Sequence, residues 1–173
     1  MRIIAGSHKG HSIVAPPGVG TRPTSDRVRE NVFNILGPLD GATVLDLYAG
    51  SGAMGLEALS RGAVQAVFVD DDRDAVKAIE RNLDKLRLRA TVLCRDAIAV
   101  LASEKRKYDL VLVDPPYDMY SDIEPKLARY LPSVLGEDGV VVLETNARVE
   151  PELPLAVRTS RKYGQTRVTV FER

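Results

Sequence analysis

Apolar residues in this chain fall into two kinds of segment. Short apolar runs, bounded by Gly, Pro or Asp, occupy residues 43–48, 65–70, 90–95, 109–114 and 139–144. They have the length of strands, and the unbroken Val111-Leu112-Val113 suits a strand covered on both faces, as in a parallel sheet. The segments between them carry apolar residues at helical spacing, over 53–61, 73–86, 97–105 and 121–132. An earlier helix starts near Ser25 with Val28, Val32, Ile35 and Leu36 on one face, and Gly37-Pro38 ends it. Strands alternating with helices predict an α/β fold, a mostly parallel sheet with helices on both faces. The two ends differ. Residues 2–14 read as a hairpin with turn chemistry in Gly6-Ser7-His8-Lys9-Gly10. The stretch VRTSRKYGQTRVTVFE, around Gly164, reads as an antiparallel hairpin. Residues 1–40 are thus expected to form a small hairpin-and-helix extension, and 41–173 the main domain.

Composition narrows the class. A chain of 173 residues, 45% hydrophobic and 28% charged, has the make-up of a soluble globular domain with a sizeable core. No apolar run approaches the roughly 18 residues of a membrane span. The start, MRIIAGSHKG, lacks a long apolar leader, so a cytoplasmic protein is expected. The single Cys94 rules out an internal disulfide and fits a reducing compartment. Within ATVLC it is expected to be a core residue rather than a nucleophile. His8 and His11 are the only histidines, too few for a metal site unless carboxylates join them, so no metal is expected.

Net charge is zero, but its distribution is uneven. Residues 1–30 hold five Arg/Lys against two acids, and 158–173 five against one, so the middle of the chain carries −7. Basic ends around an acidic middle predict one positive face if the fold brings the ends together, as nucleic acid would require.

Two motifs carry chemistry. YDLVLVDPPY ends its apolar run at Asp114-Pro115-Pro116-Tyr117, and Pro115 cannot donate to a ladder, so the strand stops there. The Asp114 carboxylate and the Pro115 carbonyl then have no sheet partner and both can accept from one amino group, with Tyr117 within reach to stack on a flat ring. That arrangement fits the exocyclic amine of a nucleobase, although Asp-Pro after a strand is also a common turn opener. The other motif, TVLDLYAGSGAMGLEAL, places Gly50, Gly52 and Gly55 in a G-x-G-x-x-G turn between a strand and a helix. Asp70 ends the next strand at the spacing of a ribose-binding acid. This is a dinucleotide pattern with one discordant residue. Asp46, four positions before the first glycine, would repel a pyrophosphate but suit a cationic ligand, and S-adenosylmethionine combines adenosine, an amino-acid tail and a sulfonium.

DLYAGSGAMGLEALSRGA, VDDDRDAVKAIERNL, CRDA and DPPY, in that order, resemble the motifs of class I S-adenosylmethionine-dependent methyltransferases that act on amines. With MRIIAGSHKGHSI and TRPTSDRVRENVFNIL in front, essentially the whole chain resembles the RsmD family, which methylates the 2-amine of one guanine in 16S ribosomal RNA. The resemblance implies a Rossmann-like fold with a seven-stranded, mostly parallel sheet closed by the C-terminal hairpin. It implies a cofactor site at Asp46, Tyr48, Gly50, Gly52, Asp70, Asp71, Asp96 and Ala97, and a catalytic Asp114, Pro115, Pro116 and Tyr117. Where this family has Glu after the second strand, the chain has Asp70, Asp71 and Asp72. RNA contacts are expected from Arg2, His8, Lys9, Arg22 and Arg27 in the N-terminal extension. The competing reading has the extension merely capping the sheet, with Arg27 or Arg29 paired to Glu30 or a core carboxylate. The implied substrate is 16S ribosomal RNA, naked or in a partly assembled small subunit, and the implied state a monomer. Three other readings stand beside this one: an amino-methyltransferase acting on adenine or cytosine of DNA, an NAD-dependent oxidoreductase, and a non-catalytic RNA-binding module.

Overall fold

The alternating pattern is realised as α1 (Asp26–Leu36), β1 (Thr43–Leu47), α2 (Ala53–Ser60), β2 (Gln65–Asp70), α3 (Arg73–Leu86), β3 (Thr91–Cys94), α4 (Ala97–Ser103) and β4 (Tyr108–Val113). A 3₁₀ turn at Tyr117–Met119 then leads into α5 (Tyr120–Val134), β5 (Leu135–Asn146), β6 (Ala156–Tyr163) and β7 (Thr166–Glu172). The structure, a computed structural model, describes residues 1–18 and 24–173. Among the described residues, no helix is long and apolar enough to cross a membrane.

The strands form one sheet in the order β3-β2-β1-β4-β5-β7-β6. The first five are parallel, with Leu45 opposite Val67 on one side and Val111 on the other, and Val111 opposite Val141. β7 runs antiparallel to both β5 and β6, so the C-terminal hairpin inserts its second strand between its first strand and the rest of the sheet. Alternation along each strand separates two cores. Val44, Phe68, Leu112 and Val142 pack with Phe33, Leu56 and Ile79 on one face, and Leu45, Val69, Val113 and Val141 pack with Val100, Leu127 and Leu131 on the other. Each such side chain contributes about 1.5–3 kcal/mol by leaving water. The strand order turns back between β1 and β4, which opens a crevice at their carboxyl ends.

Several expectations need correction. The N-terminal segment reverses direction as expected, but its pairing is confined to one bridge, Arg2 with Ser12, and a few flanking bonds. Its other backbone groups are satisfied by the main domain. Ile4 and Ala5 donate to Glu57 at 2.8 and 3.1 Å, and Ser7 donates to the Ser60 carbonyl at 2.8 Å. Val14 exchanges two bonds with the Asn82 amide, at 2.8 and 2.9 Å. Gly6, at φ 87°, lies so close to Ser60 that a Cβ would meet its carbonyl oxygen at 1.9 Å. Ile3 and Ile13 of this segment are buried in the same core as Val32, Phe33 and Leu59. In α1, capped by Ser25, the fully buried face is Arg29, Val32 and Phe33, with Val28, Ile35 and Leu36 only partly covered.

The remaining corrections lie in the second half. α4 stops at Ser103, two residues early, while α5 continues through Pro132 to Val134 and runs straight into β5. Cys94 is not a core residue. β3 is the edge strand of the sheet, and the Cys94 thiol is exposed.

Candidate active site

Carboxylates converge at the carboxyl end of the sheet, each placed there by its strand. Asp46 occupies the fourth position of β1, where the pleat turns it towards α2, and it is only 3% exposed. Its Oδ2 accepts the Gly55 amide at 3.0 Å. Gly55 has to be glycine, because a Cβ would meet Phe68 at 2.4 Å and Asp46 Oδ2 at 2.9 Å. Burial pushes the Asp46 carboxyl from its ordinary 3.8 up to about 8, against the Gly55 bond, with Asp70 adding to the rise. Asp70, at the end of β2, accepts the Gly50 amide through Oδ2 and the Asp72 amide through Oδ1, both at 2.9 Å. Burial raises it too, opposed by those two bonds and reinforced by Asp71 and Asp72. Asp70 therefore shapes the glycine turn, while Asp72 caps α3 by accepting from Asp74.

Tyr48, just beyond β1, holds a left-handed backbone at φ 57°. Such a conformation is uncommon for a non-glycine residue. Its hydroxyl is buried and has no hydrogen-bond partner among the described residues. Burial, then Asp96 and Asp71, push the phenol up to about 12, which puts those three residues in one neighbourhood. Asp96 caps α4 by accepting the Ala99 amide at 2.8 Å, and Ala97 beside it is buried. The carboxyl ends of β1 and β2 and the start of α4 thus carry a glycine turn tied to Asp70, a buried phenol whose hydroxyl has no partner among the described residues, and several acids.

Asp114 follows the last residue of β4, and its amide reaches the Leu47 carbonyl at 3.5 Å. Its carboxyl is driven well above the usual carboxylate range, first by burial, then by Glu144 and Asp46. Pro115 is buried, Pro116 is exposed, and Tyr117 opens the 3₁₀ turn with its hydroxyl bonded to Thr166 Oγ1 at 2.6 Å. β7 therefore fixes the tyrosine of the DPPY motif.

Glu144 was not singled out in the sequence. It follows Val140–Leu143 as Asp114 follows Leu110–Val113, and the register pairs Val113 with Leu143, so the two acids are the next residues on adjacent parallel strands. Burial raises Glu144 as well, opposed by a bond from Thr24 Oγ1 at 2.9 Å. The acid at the end of an apolar run was the signal.

The basic residues are placed as follows. Arg2, Lys9 and Arg27 are exposed, and Arg2 lies 3.7 Å from Asp26. His8 is half-buried, with Nε2 hydrogen-bonded to the Leu86 carbonyl at 2.9 Å and Nδ1 to Ser7. Arg22 lies outside the described residues. Arg29 is fully buried and paired with Asp26 at 3.0 Å and the core carboxylate Glu57 at 3.5 Å. The start of α1 and the C-terminal hairpin adjoin: Thr24, Ser25 and Val28 share a cleft of about 260 Å³ with Tyr163, Gly164 and Thr166, and Glu144 forms part of its wall, with no basic residue among the described lining residues.

Asp46, Asp70, Asp114 and Glu144 all hold protons more tightly when folded than their ordinary values allow. The folded protein binds more protons than the unfolded chain, so their contribution to stability is complete below about pH 4 and is lost as pH rises through the folded values, about 8 for Asp46. Thermal midpoints of the ligand-free protein should fall steadily from pH 5 to 8.5. Asp46→Asn should make the fall shallower, since one such group contributes up to about 1.4 kcal/mol per pH unit. Parallel pH curves for the two proteins would contradict the burial of this carboxyl.

A family model described as "Conserved hypothetical protein 95" matches residues 1–172. The chain is 41% identical over 187 aligned positions to "Putative rRNA methyltransferase YlbH" of Bacillus subtilis, covering 100% of this chain and 99% of that protein. It is 43% identical over 119 positions to "Ribosomal RNA small subunit methyltransferase D" of Escherichia coli K12, covering 68% of this chain and 60% of the other. Among solved structures, "Putative methyltransferase yhhF from Escherichia coli" superposes with a TM-score of 0.86 at 32% identity, over 100% of this chain and 97% of that one.

Proposed function

Because the chain belongs to the RsmD family, described as Conserved hypothetical protein 95, we propose that it transfers a methyl group from S-adenosylmethionine to the 2-amine of a guanine in small-subunit ribosomal RNA. The observation that carries this reading is Asp114, a desolvated acid next to the Pro115 carbonyl, one strand away from the Asp46 crevice. The crevice fits the cofactor. Acids that form no ion pair among the described residues suit a sulfonium and an ammonium, and the buried Tyr48 hydroxyl has no partner among the described residues. Asp46, Tyr48, Gly50 and Gly52 would hold the amino-acid end, Asp70 with Asp71 the ribose, and Asp96 with Ala97 the adenine. Asp70 is the better placed of the two for the ribose, being half-buried against the glycine turn while Asp71 is exposed. Bound S-adenosylmethionine supplies an electrophilic methyl.

The residues of this chain do the rest. An amine conjugated to a base ring is a poor nucleophile because its lone pair is delocalised. Asp114 and the Pro115 carbonyl accept its two hydrogens, which favours a tetrahedral nitrogen with its lone pair directed at the methyl. The same acceptors stabilise positive charge as it develops on nitrogen. As the N–C bond forms, the methyl would leave the sulfonium with the bonding pair kept by sulfur, and the excess proton on nitrogen would pass to Asp114, whose raised proton affinity suits that role. Pro116 stiffens the turn, and Tyr117, held by Thr166, gives the unpaired base a surface to stack on. A pyrophosphate-bearing dinucleotide fits less well beside Asp46.

Residues 1–40 are assigned to RNA. Arg2, Lys9 and Arg27 supply exposed charge there, with Arg22 outside the described residues, and His8 anchors the turn to α3. The direct experiment incubates the protein with S-adenosylmethionine and either naked 16S RNA or small subunits from cells lacking it, followed by nucleoside analysis. N2-methylguanosine is expected; methylated adenosine or cytidine, or no transfer to either substrate, contradicts the proposal. Neutralising Lys9 and Arg27 together should lower the salt slope of RNA binding by roughly one to two, and an unchanged slope moves the contact to the C-terminal hairpin.

A further inference from the structure

We infer that Glu144, set by Thr24, is the residue that selects guanine: it accepts the ring N1 hydrogen while its neighbour Asp114 accepts from the 2-amine. This rests on the proposed methylation of a guanine amine and adds to it a residue for base choice.

The argument starts from the sheet. β4 and β5 are parallel, and Val113 pairs with Leu143. Asp114 and Glu144 come next on each strand, on the face opposite that of Val113 and Leu143, and adjacent strands are about 4.8 Å apart. Two carboxylates therefore stand side by side where the target amine is to bind. Among the described residues, the Glu144 side chain has no ion pair, and the one hydrogen bond it receives is that from Thr24 to Oε2. Its other oxygen is left to whatever enters the cleft beside it. That cleft, about 260 Å³, lies between the start of α1 and the β6–β7 turn, with Glu144 in its wall. An acid so desolvated is costly unless donors meet it, and the mutual repulsion of the pair has the same remedy.

The bases differ in what they offer. Guanine presents N1–H directly beside its 2-amine, two donors in a row. Adenine and cytosine present a lone pair beside their exocyclic amine. Two adjacent carboxylates accept the first pattern and repel the second, so base choice follows from a repulsive contact as well as an attractive one. Thr24 keeps one Glu144 oxygen occupied and the other turned to the base.

The test uses 2-aminopurine, which keeps the 2-amine but carries a lone pair at N1. Wild-type protein is given RNA substrate with either guanine or 2-aminopurine at the methylated position, and kcat/KM is measured for each. Guanine should be favoured by about a hundredfold or more. In Glu144→Gln, the amide can donate to the N1 lone pair, so the preference should fall at least about tenfold, with S-adenosylmethionine affinity unchanged as a check on folding. Thr24→Val should erode the preference in the same direction. Equal wild-type rates on the two substrates, or a preference untouched by Glu144→Gln, would overturn the inference while leaving guanine methylation intact. Failure of wild-type protein to methylate guanine at all would instead strike at the proposed function.

Discussion

Replacing Asp114 with Ala should reduce methyl transfer by roughly a hundredfold or more while S-adenosylmethionine affinity stays within a fewfold of normal. The size follows from removing one charged acceptor in a site that excludes water, where such groups contribute about 3–4 kcal/mol to the transition state. The selectivity follows from placement. Asp114 lies after β4, against Glu144 and Asp46, whereas Asp70, proposed to hold the ribose, and the glycine turn are held by β1 and β2. Losing Asp114 leaves the Asp70 bonds to Gly50 and Asp72 untouched. Single-turnover rates and calorimetry on the same preparation decide the matter. Near-normal rates would remove Asp114 from catalysis, and a parallel collapse of cofactor binding would make it part of the cofactor site.

The second large effect concerns stability. Glu57 is fully buried in α2, yet its two oxygens receive the amides of Ile4 and Ala5 and the Arg61 Nε, and lie 3.5 Å from Arg29. Arg29 also reaches the Arg2 carbonyl and Asp26. Glu57→Ala would remove the buried partner of a guanidinium that has no exposed surface, leaving it Asp26 and the Arg2 carbonyl, and would strand two backbone donors. Breaking a buried pair in this way costs about 3–5 kcal/mol, or roughly 6–20 °C in Tm for a protein of this size. Combining it with Arg29→Met should restore part of the loss, since the uncompensated charge is then gone. A single mutant that melts within 2 °C of wild type, about 1 kcal/mol, would mean the network holds nothing together.

Residues whose environment is local were the readable ones. β2 and β4 announce themselves as apolar runs ended by an acid, and the glycine turn between β1 and α2 is fixed by neighbours in sequence. Cys94 shows the limit. ATVLC is as apolar as a central strand, but whether a strand is central or at an edge depends on the order of the other strands. The N-terminal segment shows another. Its turn residues predict a ladder, but beyond one bridge and a few flanking bonds its backbone partners are Glu57, Ser60 and Asn82, side chains and a carbonyl more than fifty residues away. Arg29 belongs with it, since a helix pattern does not say which basic residue faces inward onto a distant acid. Glu144 is a different case. Its position at the end of VVVL matches that of Asp114, but without the prolines that mark a strand stop it reads as one more solvated acid.

The insertion of β7 between β5 and β6 has a consequence for synthesis. β6 is made before β7, yet it has no place in the sheet until β7 lies against β5. A nascent chain extending only to Tyr163 already contains the glycine turn, Asp70, Asp114 and Glu144, but β5 has a bare edge and Tyr117 lacks its Thr166 partner. Vectorial folding from the amino end would therefore bring the ends of β1, β2 and β4 together before Tyr117 gains its bond to Thr166, which waits until Thr166–Glu172 have emerged.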